Sequence, residues 1–194
     1  MKLEESFYAG KDPVKVAKAL LGKFIFTRIR GKVTAGMIVE TEAYSYRERA
    51  SHAYRGKTKR NRVMFGAGGV SYVYLCYGIH HLFNVVTNDA GIADAVLIRA
   101  LEPKIGEDLM LKRMKTKKLT RITSGPGKLT KALGINIKHN GKPLWEDELW
   151  IEEGLPISKK KIKASARIGI DYAGSDALLP WRFTIEGNVW VSKP

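Results

Sequence analysis

Residues 71–87 read SYVYLCYGIHHLFNVVT, and this stretch decides the fold. Residues 71–77 and His80–Thr87 are rich in aromatic and β-branched side chains, and Gly78 stands where the chain has to reverse, so the stretch spells a β-hairpin. Downstream, residues 93–100 read as another buried strand. Upstream, Phe24–Ile29 and residues 33–40 flank Arg30-Gly31-Lys32 and write a further hairpin. Before it, Asp12-Pro13 opens a short amphipathic helix with an apolar stripe of Val14, Val16, Ala17 and Leu20 and a stop at Gly22. Residues 105–115 have a helical pattern, and Ser124-Gly125-Pro126 is expected to cap a helix that ends at Gly134. The tail returns to strands at Leu149–Glu152, residues 162–170 and residues 182–186. Strands outnumber helices and hairpins join most of them. The expected fold class is α+β: one domain over residues 1–194 with a curved, mostly antiparallel sheet, flanking helices and a protruding β-hairpin.

The chain has 194 residues, 44% of them hydrophobic, enough for one substantial core and without a seam to divide it. Lys and Arg number 34 against 19 acidic residues, and the net charge of +15 points to a polyanionic partner. Charge alone fits a solvated basic face equally well. Cys76 is the only cysteine, which excludes disulfides and paired-thiolate zinc sites and suits a reducing, intracellular place. No apolar run approaches the ~20 residues of a membrane span, and the opening MKLEESFYAGKD lacks the apolar stretch of a secretion signal. A soluble, unprocessed chain with no membrane partner is expected. His52, His80, His81 and His139 have no persuasive ligand spacing, so neither a metal nor another cofactor is expected.

Acid, aromatics and cations cluster in the middle of the chain. Glu42, the second acid of ETEAY, closes a buried strand. Residues 45–69 then form a long, polar, basic loop of the kind that is usually functional in a compact domain, and Tyr72, Tyr74 and Tyr77 follow on the first strand of the hairpin. Period-2 spacing puts Tyr72 and Tyr74 on one face, and Tyr77 projects at the tip. Cleaving an N-glycosidic bond requires a carboxylate to deprotonate water and face an oxocarbenium-like sugar. A base buried in duplex DNA must also be extruded and received between aromatic faces. Strand tyrosines are more often core residues, however, and a strand-end glutamate is usually solvated or ion-paired, so these features alone leave several readings open.

Several linked motifs narrow them. IVETEAY (38–44), the later His52, RNRVMF (60–65), SYVYLCYG (71–78), Asn84 and LIRALEP (97–103) occur in an order and spacing that resemble the alkyladenine (3-methyladenine) DNA glycosylase family. SGPGKLTKALGI, ARIGI, PWRF and WVS extend the likeness over nearly the whole chain. The resemblance implies Glu42 as the catalytic carboxylate and Arg99 as the residue that helps hold the attacking water. It implies Tyr44, His52 and Tyr74 as the pocket for the flipped base, with Asn84 excluding the amino group of normal guanine. Tyr77 corresponds to the intercalating tyrosine, while Arg60, Arg62 and Lys128 are expected to contact phosphates. Lys59, in place of a frequent proline, and His81, in place of an aromatic or hydrophobic residue, depart from the family pattern near the DNA-facing loop.

The implied activity is hydrolytic, monofunctional excision of alkylated or deaminated purines (3-methyladenine, hypoxanthine, ethenoadenine type) from double-stranded DNA, leaving an abasic site. A monomer working on chromosomal DNA, in a prokaryotic cytoplasm, is expected. Two rivals stand beside this reading: a lyase that uses a lysine imine, and a basic nucleic-acid-binding module without catalysis.

Overall fold

The computed structural model describes residues 1–10 and 12–193. Among these, three α-helices, α1 (Pro13–Leu20), α2 (Glu107–Met114) and α3 (Pro126–Leu133), accompany eight strands. The strands are β1 (Phe24–Ile29), β2 (Lys32–Tyr44), β3 (Ser71–Cys76), β4 (His80–Thr87), β5 (Asp94–Ile105), β6 (Leu149–Glu152), β7 (Ile162–Ser165) and β8 (Arg182–Ile185). They form one sheet in the order β3-β4-β5-β2-β1-β6, with β8 pairing to the distal half of β2 and β7 to β8. Every pairing is antiparallel. The expected α+β architecture with a curled sheet is therefore present.

The curl begins in β2, which serves β1 with its first half, β8 with its second and β5 along most of its length. Three irregularities interrupt the β2–β5 ladder, one at Ala35/Gly36 and two beside the site. Ile38 pairs with Leu101 and Glu40 with Ala100, so Val39 is extra on β2. Glu40 then pairs with Ala100 and Thr41 with Ile98, which leaves Arg99 extra on β5. A bulge kinks its strand and re-aims the side chain it carries, and here the side chain is Arg99.

Local chemistry explains most boundaries. The Asp12 carboxylate accepts the Val14 N–H at 2.6 Å and Pro13 occupies the first helical position, so α1 starts as expected. Arg30 and Gly31, at φ of 51° and 74°, make the tight reversal between β1 and β2, and pairing resumes at Lys32. Strand β5 runs to Ile105, five residues beyond the expected end, and α2 starts at Glu107. Pro103 is tolerated in it because it lies opposite Gly36 at a register shift. Ser124 does not cap α3: Gly125 holds the capping position without a side-chain bond, and the Ser124 hydroxyl is buried without a partner. The strand expected over 162–170 stops at Ser165, because the next residues turn inward to bonds with Glu42 and Glu48.

Helix α1 packs on β2 and β5, α3 on β4 and β5, and α2 on α3. Val16, Leu20, Ile38, Phe83, Ile98, Leu101, Met110, Leu129 and Leu133 meet in the resulting core. Other residues of β2, β3, β4 and β5 line a cleft. No helix among the described residues is long and apolar enough to cross a membrane.

Candidate active site

Glu40, Glu42 and Tyr44 alternate along β2 and face one way. Glu42 is fully buried. Its Oε1 accepts the Ile168 N–H at 2.9 Å, and its Oε2 accepts the Tyr44 hydroxyl at 2.8 Å and lies 3.3 Å from Arg99 Nη1. Arg99 Nε donates to Glu40 Oε1 at 3.0 Å. Glu40 is itself saturated by Arg182 Nε at 2.7 Å, the Ser192 N–H at 2.7 Å and the Ser192 hydroxyl at 2.9 Å. Two buried carboxylates thus meet two guanidiniums, the arrangement that keeps buried charge tolerable. Arg99 does form a buried ion pair, mainly with Glu40, and this pair points its free end at Glu42.

Over this floor opens a cleft of about 450 Å³ whose walls include Tyr44, His52, Arg60, Tyr72, Tyr74, Asn84, Leu97, Arg99 and Ile168. The His52 ring lies edge-on to Tyr74, with centroids 4.6 Å apart, and Tyr72 lies 5.4 Å from Tyr74. His52 Nδ1 and the Tyr72 hydroxyl share a hydrogen bond of 2.9 Å. Burial and, after it, the Arg60 charge push the imidazole down to about 4, although the residue as a whole keeps exposed surface. His52 is therefore neutral at physiological pH and is unsuited to be the acid that protonates a leaving base. Burial first, and then the charge of Glu42, hold the Tyr44 hydroxyl well above its ordinary range, so Tyr44 remains a proton donor to the carboxylate. The Asn84 amide donates to the Tyr72 carbonyl at 3.1 Å, which fixes its orientation in the wall.

The remaining expected residues surround the cleft. Tyr77 is 91% exposed at the hairpin tip, in a left-handed conformation with φ 49° beside Gly78 at φ 70°. The Ile79 N–H closes this turn on the Cys76 carbonyl at 3.1 Å. The RNR segment divides. Asn61 is buried and ties the loop together through the carbonyls of His52 and Gly56, at 2.8 and 2.9 Å. Arg62 points to solvent, and Arg60 lies over the Tyr74 ring, 5.1 Å from its centroid. Lys128 is exposed on the first turn of α3, outside the cleft.

Sequence reasoning missed the supports. Arg167, in ARIGI, makes a bidentate ion pair with Glu48, donates to the carbonyls of Ala43 and Asp176 at 2.8 and 3.0 Å, and lies between Tyr44 and Trp181. It holds the turn that presents the Ile168 N–H to Glu42. Burial raises Glu48 above the ordinary carboxylate range despite this partner. The signals were an arginine in an otherwise apolar run and the first acid of ETEAY, but neither pairing can be read from spacing.

A family model described as methylpurine-DNA glycosylase matches residues 6–189. The chain belongs to the methylpurine-DNA glycosylase family. Among curated proteins, a relative from Carboxydothermus hydrogenoformans is 48% identical over 194 residues, covering all of both chains. One from Chlamydia felis is 44% identical over 98% of each chain, and one from Bacillus cereus is 46% identical over all of both. All three bear 3-methyladenine DNA glycosylase as a provisional name. Family membership makes this a DNA repair glycosylase with DNA as its substrate. Glu42 and Arg99, in the motifs that resemble the family's, are the charged pair under the aromatic cleft.

Proposed function

We propose that this methylpurine-DNA glycosylase flips alkylated or deaminated purines out of duplex DNA and hydrolyses the N-glycosidic bond, with Glu42 as general base. The observation that carries the reading is the Glu42–Arg99 pair at the bottom of a cleft walled by Tyr44, His52 and Tyr74. A carboxylate offers about four acceptor directions. Ile168, Tyr44 and Arg99 occupy three of those on Glu42. The remaining direction suits a water beside Arg99. Glu42 takes the proton, the water oxygen bonds to the anomeric carbon, and the glycosidic electron pair leaves with the base. A cationic alkylpurine departs as a neutral base, whereas hypoxanthine requires a proton that no group in the cleft is assigned to give.

A flipped base would stack among the aromatic walls, with Tyr77 filling the gap it leaves. Arg62 and Lys128 would neutralise phosphates. Among the described residues that line the cleft there is no lysine, which favours hydrolysis over an imine-forming lyase. The enzyme is proposed to act as a monomer.

The test is direct. Duplexes with single 3-methyladenine-like, ethenoadenine, hypoxanthine or uracil residues are incubated with the protein, abasic sites are cleaved with alkali, and a parallel sample is trapped with borohydride. Cleavage at the purine lesions without a trapped adduct is expected. Absence of cleavage at every purine lesion contradicts the reading, and a trapped adduct contradicts the hydrolytic mechanism.

A further inference from the structure

Two tyrosines of the cleft, Tyr44 and Tyr74, carry a guanidinium on one face. Arg167 stands 4.7 Å from the Tyr44 ring centroid, and Arg60 stands 5.1 Å from that of Tyr74. Such a cation occupies the electron-rich face that would otherwise attract a positively charged ligand. The two arginines differ in how their charge is balanced. Arg167 is neutralised by Glu48 in a bidentate pair. Arg60 has no carboxylate partner among the described residues; beyond its position over Tyr74 it reaches the Leu75 carbonyl, at 3.5 Å, and interacts with the uncharged Tyr72 hydroxyl. It lines the cleft, and among the described residues the only other charged one in that lining is Arg99, whose charge is met by Glu40 and Glu42. The uncompensated charge of the cleft is thus that of Arg60. Its field is felt across the wall, since it contributes to the lowered basicity of His52.

We propose that Arg60 is a charge filter: its unpaired guanidinium over Tyr74 disfavours cationic bases and sets the ranking of neutral against cationic lesions. This rests on the reading of the cleft as a purine pocket and goes beyond it, because Arg60 then specifies instead of only anchoring a phosphate. A unit charge about 8 Å from a cationic base, at an effective dielectric constant of about 30, changes the preference about tenfold. Arg62, two residues away, exposed like Arg60 but outside the cleft lining, is the internal control.

The experiment measures single-turnover excision with enzyme in excess of DNA but below saturation, so that the rate includes capture of the base, from matched duplexes carrying 7-methylguanine, a cationic base, or hypoxanthine, a neutral one. Arg60→Gln is expected to raise the 7-methylguanine to hypoxanthine rate ratio about tenfold over the wild type. Arg60→Lys, which keeps the charge, should leave the ratio near the wild-type value, and Arg62→Gln should weaken binding of both duplexes without moving it. By nuclear magnetic resonance, the His52 titration midpoint in Arg60→Gln should rise from about 4. An unchanged or lowered ratio in Arg60→Gln overturns the proposal, as does an equal change in Arg60→Lys or an unmoved His52 midpoint. A wild-type protein that releases neither base overturns the functional reading and this inference together, whereas excision with an unmoved ratio overturns the filter alone.

Discussion

Replacing Arg167 with methionine takes away the central support of the cleft floor while keeping a long apolar stem between Tyr44 and Trp181. The wild-type guanidinium is completely buried, joins both oxygens of Glu48, bonds two backbone carbonyls and lies 4.7 and 5.3 Å from the two ring centroids. After the substitution, Glu48 keeps the Ser45 N–H at 3.0 Å but loses its countercharge, with its side chain only 5% exposed. Leaving one member of a buried pair uncompensated costs about 3–5 kcal/mol, a large part of the roughly 5–15 kcal/mol that holds a domain together. The ring contacts are partly retained, so about 3–4 kcal/mol is expected here. If the orphaned charge is the cause, Arg167→Met combined with Glu48→Leu should recover much of the loss, with a coupling of about 2–3 kcal/mol. Urea unfolding followed by tryptophan fluorescence and far-ultraviolet circular dichroism measures all four corners of the cycle. A single-variant loss below about 1 kcal/mol, or a double variant whose loss equals the sum of the singles, would refute the reasoning.

Three further outcomes follow from the cleft. Asn84→Ser should raise excision of guanine-type lesions relative to hypoxanthine several-fold, because the amide anchored on the Tyr72 carbonyl no longer fills the space of a 2-amino group; an unaltered ratio of single-turnover rates places the selectivity elsewhere. His52 should titrate near 4 and not near its ordinary 6.5. Between these values the unfolded chain binds a proton that the folded one does not, so this residue's contribution to stability is complete above 6.5 and is lost as the pH falls toward and through 4. A midpoint at or above 6.5, read by nuclear magnetic resonance, contradicts the burial that lowers it. Lys128→Ala and Arg62→Ala should each lower the salt dependence of duplex binding by about one ion without changing lesion ranking, and a salt slope that stays fixed would remove them from the phosphate interface.

The hairpins, α1 and the antiparallel class were legible because hydrophobic period and turn chemistry are local signals. Glu42, Tyr44, His52, Tyr74, Asn84 and Arg99 stood in motifs of recognisable order, and the fold gathers all six around one cleft. What sequence could not convey is non-local. The bulges that free Arg99 from the β2–β5 ladder depend on register between strands more than fifty residues apart. Glu40 looked like one more strand acid until Arg99, Arg182 and Ser192 converged on it. The stretch 166–170 looked like a strand because its apolar residues fit one, but tertiary bonds to Glu42 and Glu48 outweigh that local preference. Arg60 and Arg62 were indistinguishable as letters; only the loop knotted by Asn61 brings one to the cleft wall and leaves the other outside it.

The central claim is that Glu42 removes the proton from the attacking water, and Glu42→Gln tests it most directly. The amide keeps the shape of the side chain and loses its basicity. Single-turnover excision from a hypoxanthine or ethenoadenine duplex, measured beside duplex affinity, should fall at least about a thousandfold while lesion binding stays within a few-fold of the wild type. Near-full excision by a folded Glu42→Gln protein would contradict the account.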